Sequence, residues 1–355
     1  MKRQGSLWPR LICFPNLLQA ARRAAAGKRQ RPDVAQFLMN LETELFRLQR
    51  ELADSSYQPG PYRTFPVTDP KPRLISAAPF RDRVVHHALT QVLEPIFERR
   101  FTRDSFACRQ GLGTHRALAR ARVGAAKNPF VLKCDIRKYF PSIDHEILMN
   151  LLWRVVKCDP TLQLARKIIA ASNPQEPLTA YFPGDDLFTP LERRRGLPLG
   201  NQTSQFFANV YLNPLDHFVA RELRPAAYVR YVDDFLLFGD SKDRLNGMRG
   251  QIESFLFGLR LTIHRGKSRV YRPQDGVTFL GWRLFPDRAR LVRGNVVRFR
   301  RRMRSLQDAC AGGRLDLGEV RERVRAWIAH AAHGETWKLR SQLLGQFAFR
   351  SGCVV

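Results

Sequence analysis

Two adjacent aspartates, Asp233 and Asp234, are the residues best placed to do chemistry, in a Tyr-Val-Asp-Asp sequence that begins at Tyr231. Apolar runs flank them over residues 227–232 and 235–238. Two buried like charges repel each other, and a divalent cation removes that cost because it is hard and prefers oxygen ligands. The pattern indicates a metal site at a hairpin tip, where neighbouring carboxylates reach one ion instead of pointing to opposite faces of a strand.

A second pair, Asp185 and Asp186, shows the alternative to a metal site. It follows Gly184 in a segment rich in Pro and Gly, with no apolar strand on either side. A solvated Asp-Asp turn is the ordinary interpretation of such a pair. We therefore interpret residues 173–196 as a long loop or a small hairpin.

A third aspartate, Asp135, ends a predicted buried strand that begins at Val131. Acidic residues from two strands of one sheet can hold two Mg²⁺ ions roughly 3.5–4 Å apart, one activating an attacking 3′-hydroxyl and the other steadying a triphosphate and its leaving pyrophosphate. Taken alone, Asp135 is equally well an exposed acid at a strand end. Together with the aspartate pair it predicts two-metal nucleotidyl transfer.

Two further segments have residue types suited to a nucleoside triphosphate. Residues 196–205 (Gly-Leu-Pro-Leu-Gly-Asn-Gln-Thr-Ser-Gln) open a predicted helix, and both glycine and a helix N-terminus allow backbone to approach phosphate closely. Residues 71–75 carry basic side chains on an extended segment that can clamp phosphate, although general surface charge is the alternative in so basic a chain. The candidate nucleotide contacts are Lys71, Arg73, Leu199, Gly200 and Gln205.

The elements that must position these residues form an α+β pattern. Apolar spacing predicts helices over residues 16–56, 81–100 and 201–223, and another from about Asp144. Extended segments and strands are expected over residues 57–80, 131–136, 259–263, 268–272 and 277–285, with a hairpin over 227–239. The last 70 residues are basic and helical in pattern, with a break at Gly312-Gly313.

The charge balance restricts the partners. Lys plus Arg is 60, Asp plus Glu is 32, and the formal net charge is +28, which indicates a polyanionic partner. Nucleic acid is favoured over an anionic membrane surface, because no apolar run approaches the roughly 18–20 residues of a membrane span. The six cysteines form no Cys-x-x-Cys pair, which argues against a zinc site or disulfide scaffold and fits a reducing cytoplasm.

In this order, the motifs resemble those of the reverse transcriptase family over nearly the whole chain. The Tyr-x-Asp-Asp box, the strand-end acid within residues 132–140 and the Phe-Leu-Gly-Trp sequence at 279–282 carry the resemblance. It implies a right-hand polymerase of the α+β class with fingers, an antiparallel palm sheet and a helical thumb. The expected segments are a basic helical extension (1–56), fingers (57–130), a palm (131–285) with an inserted fingers segment near 150–200, and a basic helical thumb (286–355).

The resemblance also implies roles for individual residues. Asp135, Asp233 and Asp234 are the expected catalytic residues and, with Ile136, the expected positions of two Mg²⁺ ions, for which Mn²⁺ is a substitute. Lys267 corresponds to a lysine near the triphosphate. Phe140 corresponds to an aromatic residue that crowds a 2′-hydroxyl and favours deoxynucleotides; a plain core position is its alternative. The expected primer grip is Phe279, Leu280, Gly281 and Trp282.

A finer resemblance points to the reverse transcriptases of diversity-generating retroelements. It rests on Leu-Gly-x-x-x-Ser-Gln at 199–205, Arg-Asp-Arg-Val-Val-His-His-Ala-Leu at 81–89 and Phe-Pro-Ser-Ile-Asp-His at 140–145. That lineage copies a template RNA into cDNA with frequent errors at adenines, beside a small basic pentameric accessory protein. It therefore implies a template RNA, an RNA/cDNA hybrid, dNTPs and that accessory protein as partners of a cytoplasmic, bacterial or phage-encoded enzyme. Leu112 departs from the lysine of this lineage, which puts one template contact in doubt.

Leu199 suggests a reason for low copying fidelity, and the sequence also leaves other functions open. Most bacterial and retroviral members have Gln where Leu199 stands, and losing its hydrogen bond to a nucleotide removes on the order of 1 kcal/mol of discrimination. One alternative is an anti-phage defence reverse transcriptase without a conventional template. Another is a catalytically silent RNA-binding scaffold, against which the three intact aspartates count. An RNA-dependent RNA polymerase is disfavoured by Phe140.

Overall fold

The N-terminal segment is helical, as its apolar spacing predicts. The computed structural model describes residues 2–68, 72–172 and 180–349, and its first elements are α1 (Trp8–Ile12), α2 (Phe14–Ala25), α3 (Pro32–Met39) and α4 (Leu41–Ala53). In α4, Leu45, Leu48 and Leu52 are all buried, because residues three or four apart lie on one helix face. Proline stands in the first turn of α1, α2 and α3, where its missing N–H costs no helical hydrogen bond.

The Pro-rich segment that follows forms an antiparallel ribbon, which the sequence predicted only as extended. Strand β1 (Arg63–Val67) pairs with β2 (Arg73–Ala77), with Thr64 opposite Ser76. Every residue of β1 is exposed. The ribbon leads into α5 (Phe80–Glu98), and α6 (Thr114–Lys127) precedes the first strand of the main sheet.

The main sheet carries the predicted carboxylates at its strand ends. Its strands are β3 (Phe130–Asp135), β4 (Ala227–Tyr231), β5 (Asp234–Gly239) and β6 (Arg269–Tyr271), in the order β4-β5-β3-β6. The β4–β5 and β3–β6 pairs are antiparallel. The hairpin predicted over 227–239 is confirmed, with Tyr231 opposite Asp234 at its tip.

Helices fill the chain between these strands. They are α7 (Tyr139–Ser142), α8 (His145–Trp153), α9 (Asp159–Ala170), α10 (Thr189–Glu192), α11 (Gln202–Phe218) and α12 (Lys242–Gly258). Helix α11 continues as a π-helix over Val219–Leu223, so the helix predicted over 201–223 is confirmed with a wider last turn. In the described part of segment 173–196 the structure has α10 where a hairpin was one alternative. The Asp186 carboxylate accepts from the backbone N–H groups of Phe188 and Thr189 at this turn.

Beyond residue 276 the chain forms a small sheet and then helices. Strands β7 (Val277–Phe279), β8 (Trp282–Leu284) and β9 (Ala289–Leu291) pair in sequence, followed by α13 (Arg293–Ala311), α14 (Leu317–Ala331) and α15 (Trp337–Leu344). The helical pattern and the break after α13 are confirmed, whereas β9 was missed. The strand predicted over 259–263 is wrong, because only an isolated bridge joins Ile263 to Ile136.

Two compact units divide the chain, each assembled from separate stretches. The first consists of residues 1–110, 135–223 and 250–265, and the second of residues 111–134, 224–249 and 266–355. In the second unit, Phe299, Met303, Leu306 and Leu343 form a buried cluster, and the Phe299 ring stacks on Trp327 at 3.5 Å. The four segments expected from the sequence stay a prediction. Within the described residues, no helix is long and apolar enough to cross a bilayer.

Candidate active site

The aspartate pair lies at a tight, strained turn. Strand β4 ends at Tyr231, β5 begins at Asp234, and Val232 between them has φ +57°. A β-branched residue at positive φ is costly, and such backbone persists only where its surroundings enforce it. The fully buried Arg230 helps to do so, because its guanidinium donates to the Val232 carbonyl at 2.9 Å. Sequence reasoning placed the hairpin but missed Arg230.

The hairpin is also tied to helix α6. The Thr114 hydroxyl, in the first turn of α6, donates to the Tyr231 hydroxyl at 3.0 Å. Farther along α6, a Cβ added to Gly124 would lie 2.6 Å from the Phe238 ring, so the helix packs directly on strand β5. The tyrosine of the Tyr-x-Asp-Asp box therefore has a defined structural role, which is to join the turn to the helix behind it.

Asp135 lies at the end of a strand that is anchored on its far side. Its backbone carbonyl accepts from the His264 N–H at 2.7 Å, and the Arg137 N–H donates to Thr262 at 2.8 Å. The intervening Ile136 is buried and bridges Ile263. Because β3 and β5 are neighbours in the sheet, the strand that ends at Asp135 lies beside the strand that begins at Asp234.

A divalent cation needs several oxygen ligands that meet at one point. Within residues 2–68, 72–172 and 180–349, no three His, Cys, Asp or Glu side chains converge closely enough to hold a metal ion. The chemistry of the donors nevertheless fits a hard cation, because they are partly exposed carboxylates at strand ends. A positive charge already lies there: the Lys133 ammonium is 3.6 Å from an Asp234 carboxylate oxygen. The three-aspartate metal site and Ile136's part in it stay a prediction.

The Gly-rich nucleotide segment is held by backbone hydrogen bonds to the region after β3. The Leu197 N–H donates to the Phe140 carbonyl at 2.9 Å, and the Gly196 N–H donates to the Ile143 carbonyl at 2.8 Å. The His145 Nε2 donates to the Gly196 carbonyl at 2.8 Å. Burial lowers the pKa of His145, so this ring is neutral at pH 7 with its proton on Nε2.

The same segment is fastened to strand β2 from the other side. The Ser76 N–H donates to the Leu199 carbonyl at 3.0 Å, and the Asn201 side chain donates to the Ser76 carbonyl at 3.1 Å. Gly200 has φ +112°, and a Cβ there would lie 3.0 Å from the Ile75 side chain. The structure thus brings Leu199 and Gly200 together with the strand that Arg73 begins. Asn201, buried between them, was missed as a positioning residue.

The other predicted nucleotide contacts differ in exposure and lie on different elements. Arg73 is exposed at the start of β2, Gln205 is exposed on α11, and Lys267 is exposed in a turn before β6. Phe140 is half-buried, with its ring edge-on to Tyr139 at 5.6 Å. Lys71 lies outside the described residues.

The expected primer grip is the turn between β7 and β8. Phe279 and Trp282 pair across the turn and their side chains are buried, so both pack in the core. Leu280 and Gly281, at φ +48° and +82°, form the partly exposed turn itself. Of the four residues, Leu280 and Gly281 are therefore the ones with exposed surface at this turn.

Gly281→Ala is expected to destabilise this turn. Its φ lies in the left-handed region, which costs an L-residue roughly 1–2 kcal/mol, and the new Cβ would lie 2.6 Å from the Asn295 amide nitrogen. That amide also donates to the Gly281 carbonyl at 3.0 Å. Thermal unfolding should show a lower melting temperature, while the control Gly294→Ala, in open space on α13, should not. Equal melting temperatures for both variants would show that the turn is unconstrained.

The profile of the family described as reverse transcriptase (RNA-dependent DNA polymerase) matches residues 66–284, more than half of the chain and all of the strands from β2 to β8. The chain belongs to the reverse transcriptase family. The family expected from the motifs is therefore confirmed, and so is the right-hand polymerase fold of the α+β class. As a family member it is an RNA-directed DNA polymerase, and such domains use divalent metal ions.

Similar proteins include several encoded by introns. Protein YkfC of Escherichia coli (strain K12) is 27% identical over 297 residues, which cover 72% of this reverse transcriptase and 75% of YkfC. The putative COX1/OXI3 intron 1 protein of Saccharomyces cerevisiae is 20% identical, covering 75% of this chain and 38% of that protein. The group II intron-encoded protein LtrA of Lactococcus lactis subsp. cremoris is 26% identical, covering 50% and 28%.

The solved structures that match this chain include an apo telomerase. The structure from Candida tropicalis has a TM-score of 0.47 at 13% identity and covers 64% of this reverse transcriptase and 48% of that chain. This reverse transcriptase thus spans less than half of the telomerase, of the COX1/OXI3 intron 1 protein and of LtrA.

Proposed function

We propose that this reverse transcriptase copies an RNA template into cDNA by two-metal nucleotidyl transfer, with Asp135, Asp233 and Asp234 as its catalytic residues. The observation that carries the proposal is the strand order of the main sheet. The strand ending at Asp135 is the neighbour of the strand beginning at Asp234, and a strained turn holds Asp233 between Val232 and that strand. The proposed segments are the extension, fingers, palm and thumb expected from the sequence.

The proposed ions are Mg²⁺, with Mn²⁺ as a substitute. When bound, they supply the charge that activates a primer 3′-hydroxyl and stabilises the leaving pyrophosphate. The carboxylates of the three aspartates provide the hard oxygen ligands, beside Ile136.

The nucleotide contacts divide by chemistry. Gly200 leaves the backbone beside β2 open to a close approach, and the exposed Arg73 suits bidentate binding of phosphate. Phe140 narrows the space for a 2′-hydroxyl and so favours dNTPs. The remaining proposed contacts are Lys71, Leu199, Gln205 and Lys267.

A basic helix supports nucleic acid as the partner. Helix α13 buries Phe299, Met303 and Leu306 on one face and exposes arginines over the rest of its surface. The exposed arginines are Arg293, Arg298, Arg300, Arg301, Arg302 and Arg304. Guanidinium groups bind phosphate without regard to sequence, as an enzyme that tracks an RNA/cDNA hybrid requires. The intron-encoded relatives are consistent with an RNA partner.

The finer proposal is membership of the diversity-generating retroelement lineage, with error-prone copying at adenines and a small basic pentameric accessory protein. Its support is the motif resemblance at 81–89, 140–145 and 199–205. In the structure, the 140–145 segment bonds to Gly196 and Leu197, the residues that lead into the 199–205 segment.

Primer extension on a defined RNA template tests the proposed function. Wild type and Asp233→Asn are compared with dNTPs and Mg²⁺, and the products are sequenced. We expect metal-dependent cDNA that is lost in the variant and enriched in errors opposite adenine. Accurate or untemplated cDNA would contradict the retroelement lineage and favour the defence role. RNA binding without synthesis, even with cell extract added, would favour the scaffold.

Leu199→Gln is expected to lower the misincorporation rate by about fivefold, because a glutamine amide adds a hydrogen bond that senses nucleotide geometry, worth on the order of 1 kcal/mol. Sequencing of cDNA from matched primer extensions measures the change. Leu187→Gln, on an exposed residue of the 180–192 segment, is the control and should leave the error spectrum as it is. An error rate in Leu199→Gln equal to that of wild type would contradict this account of fidelity.

A further inference from the structure

Lys133 joins the aspartate hairpin to the strand before the primer-grip turn. Its ammonium donates to the Thr278 carbonyl of β7 at 2.7 Å and lies 3.6 Å from an Asp234 carboxylate oxygen at the start of β5. The Lys133 and Asp234 side chains are 17% and 22% exposed, so the pair is largely shielded from water. All three residues belong to the second unit.

The strand geometry explains why a lysine reaches this place. Successive side chains of a strand point to opposite faces, so Lys133 lies on the same face of β3 as Asp135, two residues later. Burial follows this alternation, because Cys134 between them is fully buried while Lys133 and Asp135 are partly exposed. Lys133 therefore belongs to the face of the sheet that carries the strand-end acids.

The positive charge of Lys133 acts on the Asp234 carboxylate beside it. A cation this close to a carboxylate stabilises its ionised form and competes with any other cation for the same oxygen atoms. Its second contact, with the Thr278 carbonyl, is independent of that competition. The residue after Thr278 is Phe279, the first residue of the expected primer grip.

We propose that Lys133 is a positioning residue that weakens divalent-ion binding at Asp234 and holds strand β7 in place for the primer. This inference rests on the proposed function, because it takes Asp234 as a metal ligand. In the absence of a divalent ion, the ammonium balances the charge of Asp234 and so reduces the repulsion between the Asp233 and Asp234 carboxylates. With the carboxylate engaged by a divalent ion, the ammonium keeps its hydrogen bond to Thr278, so the primer-side strand stays anchored.

The two roles are separated by two substitutions in the full-length chain. Lys133→Met removes both the charge and the hydrogen bond, whereas Lys133→Gln removes the charge and keeps an amide that can donate to Thr278. Binding of Mn²⁺ alone is followed by electron paramagnetic resonance, without nucleotide or primer. Both variants are expected to bind Mn²⁺ about threefold to tenfold more tightly, because a competing cation is gone. Only Lys133→Met should also raise the KM for primer–template.

Two controls make the result specific. Lys127→Met, on the exposed end of α6, changes the net charge equally and should leave Mn²⁺ affinity and primer KM unchanged. Lys133→Arg keeps the charge and should bind Mn²⁺ like wild type. Tighter Mn²⁺ binding is a specific result, because a variant with a damaged fold would bind Mn²⁺ more weakly.

Each outcome decides a different point. Unchanged or weaker Mn²⁺ binding in both Lys133→Met and Lys133→Gln would overturn the inference while leaving the metal role of Asp234 intact. An Asp234→Asn variant that binds Mn²⁺ as wild type does would instead overturn the proposed metal site itself. A raised primer KM in Lys133→Gln equal to that in Lys133→Met would overturn the separate anchoring role of Thr278.

Discussion

Asp135→Asn is expected to lower kcat for cDNA synthesis by on the order of 10³- to 10⁴-fold, which corresponds to roughly 4–5.5 kcal/mol of lost transition-state stabilisation. Asparagine keeps the shape of the side chain, so the strand that ends at residue 135 and its backbone bond to His264 should persist. What is lost is one negative charge where the proposed ions bind. Single-turnover primer extension at saturating dNTP measures the effect.

Asp240→Asn is the matched control for this prediction. Asp240 follows strand β5, its side chain is 79% exposed, and the Arg244 guanidinium lies 4.0 Å from its carboxylate. The same chemical change there should leave kcat within twofold of wild type and should not alter the melting temperature. A loss of only a few-fold in Asp135→Asn, with Asp240→Asn normal, would contradict a metal-binding role for Asp135.

Asp144→Ala is expected to reduce the free energy of unfolding by about 3–5 kcal/mol, the range for breaking a buried ion pair. Asp144 is 1% exposed and accepts from Arg260 at 2.7 Å, with Arg193 at 3.5 Å. It also caps helix α8 through the Glu146 and Ile147 N–H groups. Alanine would leave two guanidinium groups without their shared carboxylate and the helix without its cap.

Glu146→Ala provides the control, because Glu146 pairs with the same Arg260 at 3.2 Å but is 73% exposed. Exposed pairs contribute about 0–1 kcal/mol, so this variant should unfold almost as wild type does. Urea denaturation followed by circular dichroism compares the two. Equal midpoints for the alanine variants would show that burial of Asp144 adds nothing to its ion pairs.

The hairpin tip that carries the aspartate pair was predictable because its signal is local. An Asp-Asp pair between two apolar runs predicts a hairpin tip, and the structure has that hairpin. The pair at Asp185 and Asp186, without such runs, was correctly interpreted as a loop. The solvated part of that interpretation is wrong for Asp185, whose side chain is 4% exposed and forms an ion pair with Arg193. Local spacing likewise predicted a helix from about Asp144, and α8 begins at His145 with Asp144 as its N-cap.

The contacts that hold the site together were not predictable, because they join residues far apart in sequence. Nothing near Lys133 in the sequence indicates Thr278, and nothing near Asn201 indicates Ser76. The strand predicted over residues 259–263 was wrong for a related reason. Leu261 and Ile263 alternate with polar residues and are buried, but they follow the turn after α12 and pair with no full strand. Alternation predicts burial, whereas a strand needs a partner along its whole length.

The way the two units share the chain has a consequence for biosynthesis. Strand β3 leaves the ribosome long before β5 and β6, the strands on its two sides. Until residue 271 has emerged, β3 lacks at least one of its two partner strands, and its unpaired backbone groups form an open edge that can aggregate. We therefore expect a nascent chain of this enzyme to be open to aggregation at this strand until residue 271 is made, and slower translation to lengthen that exposure.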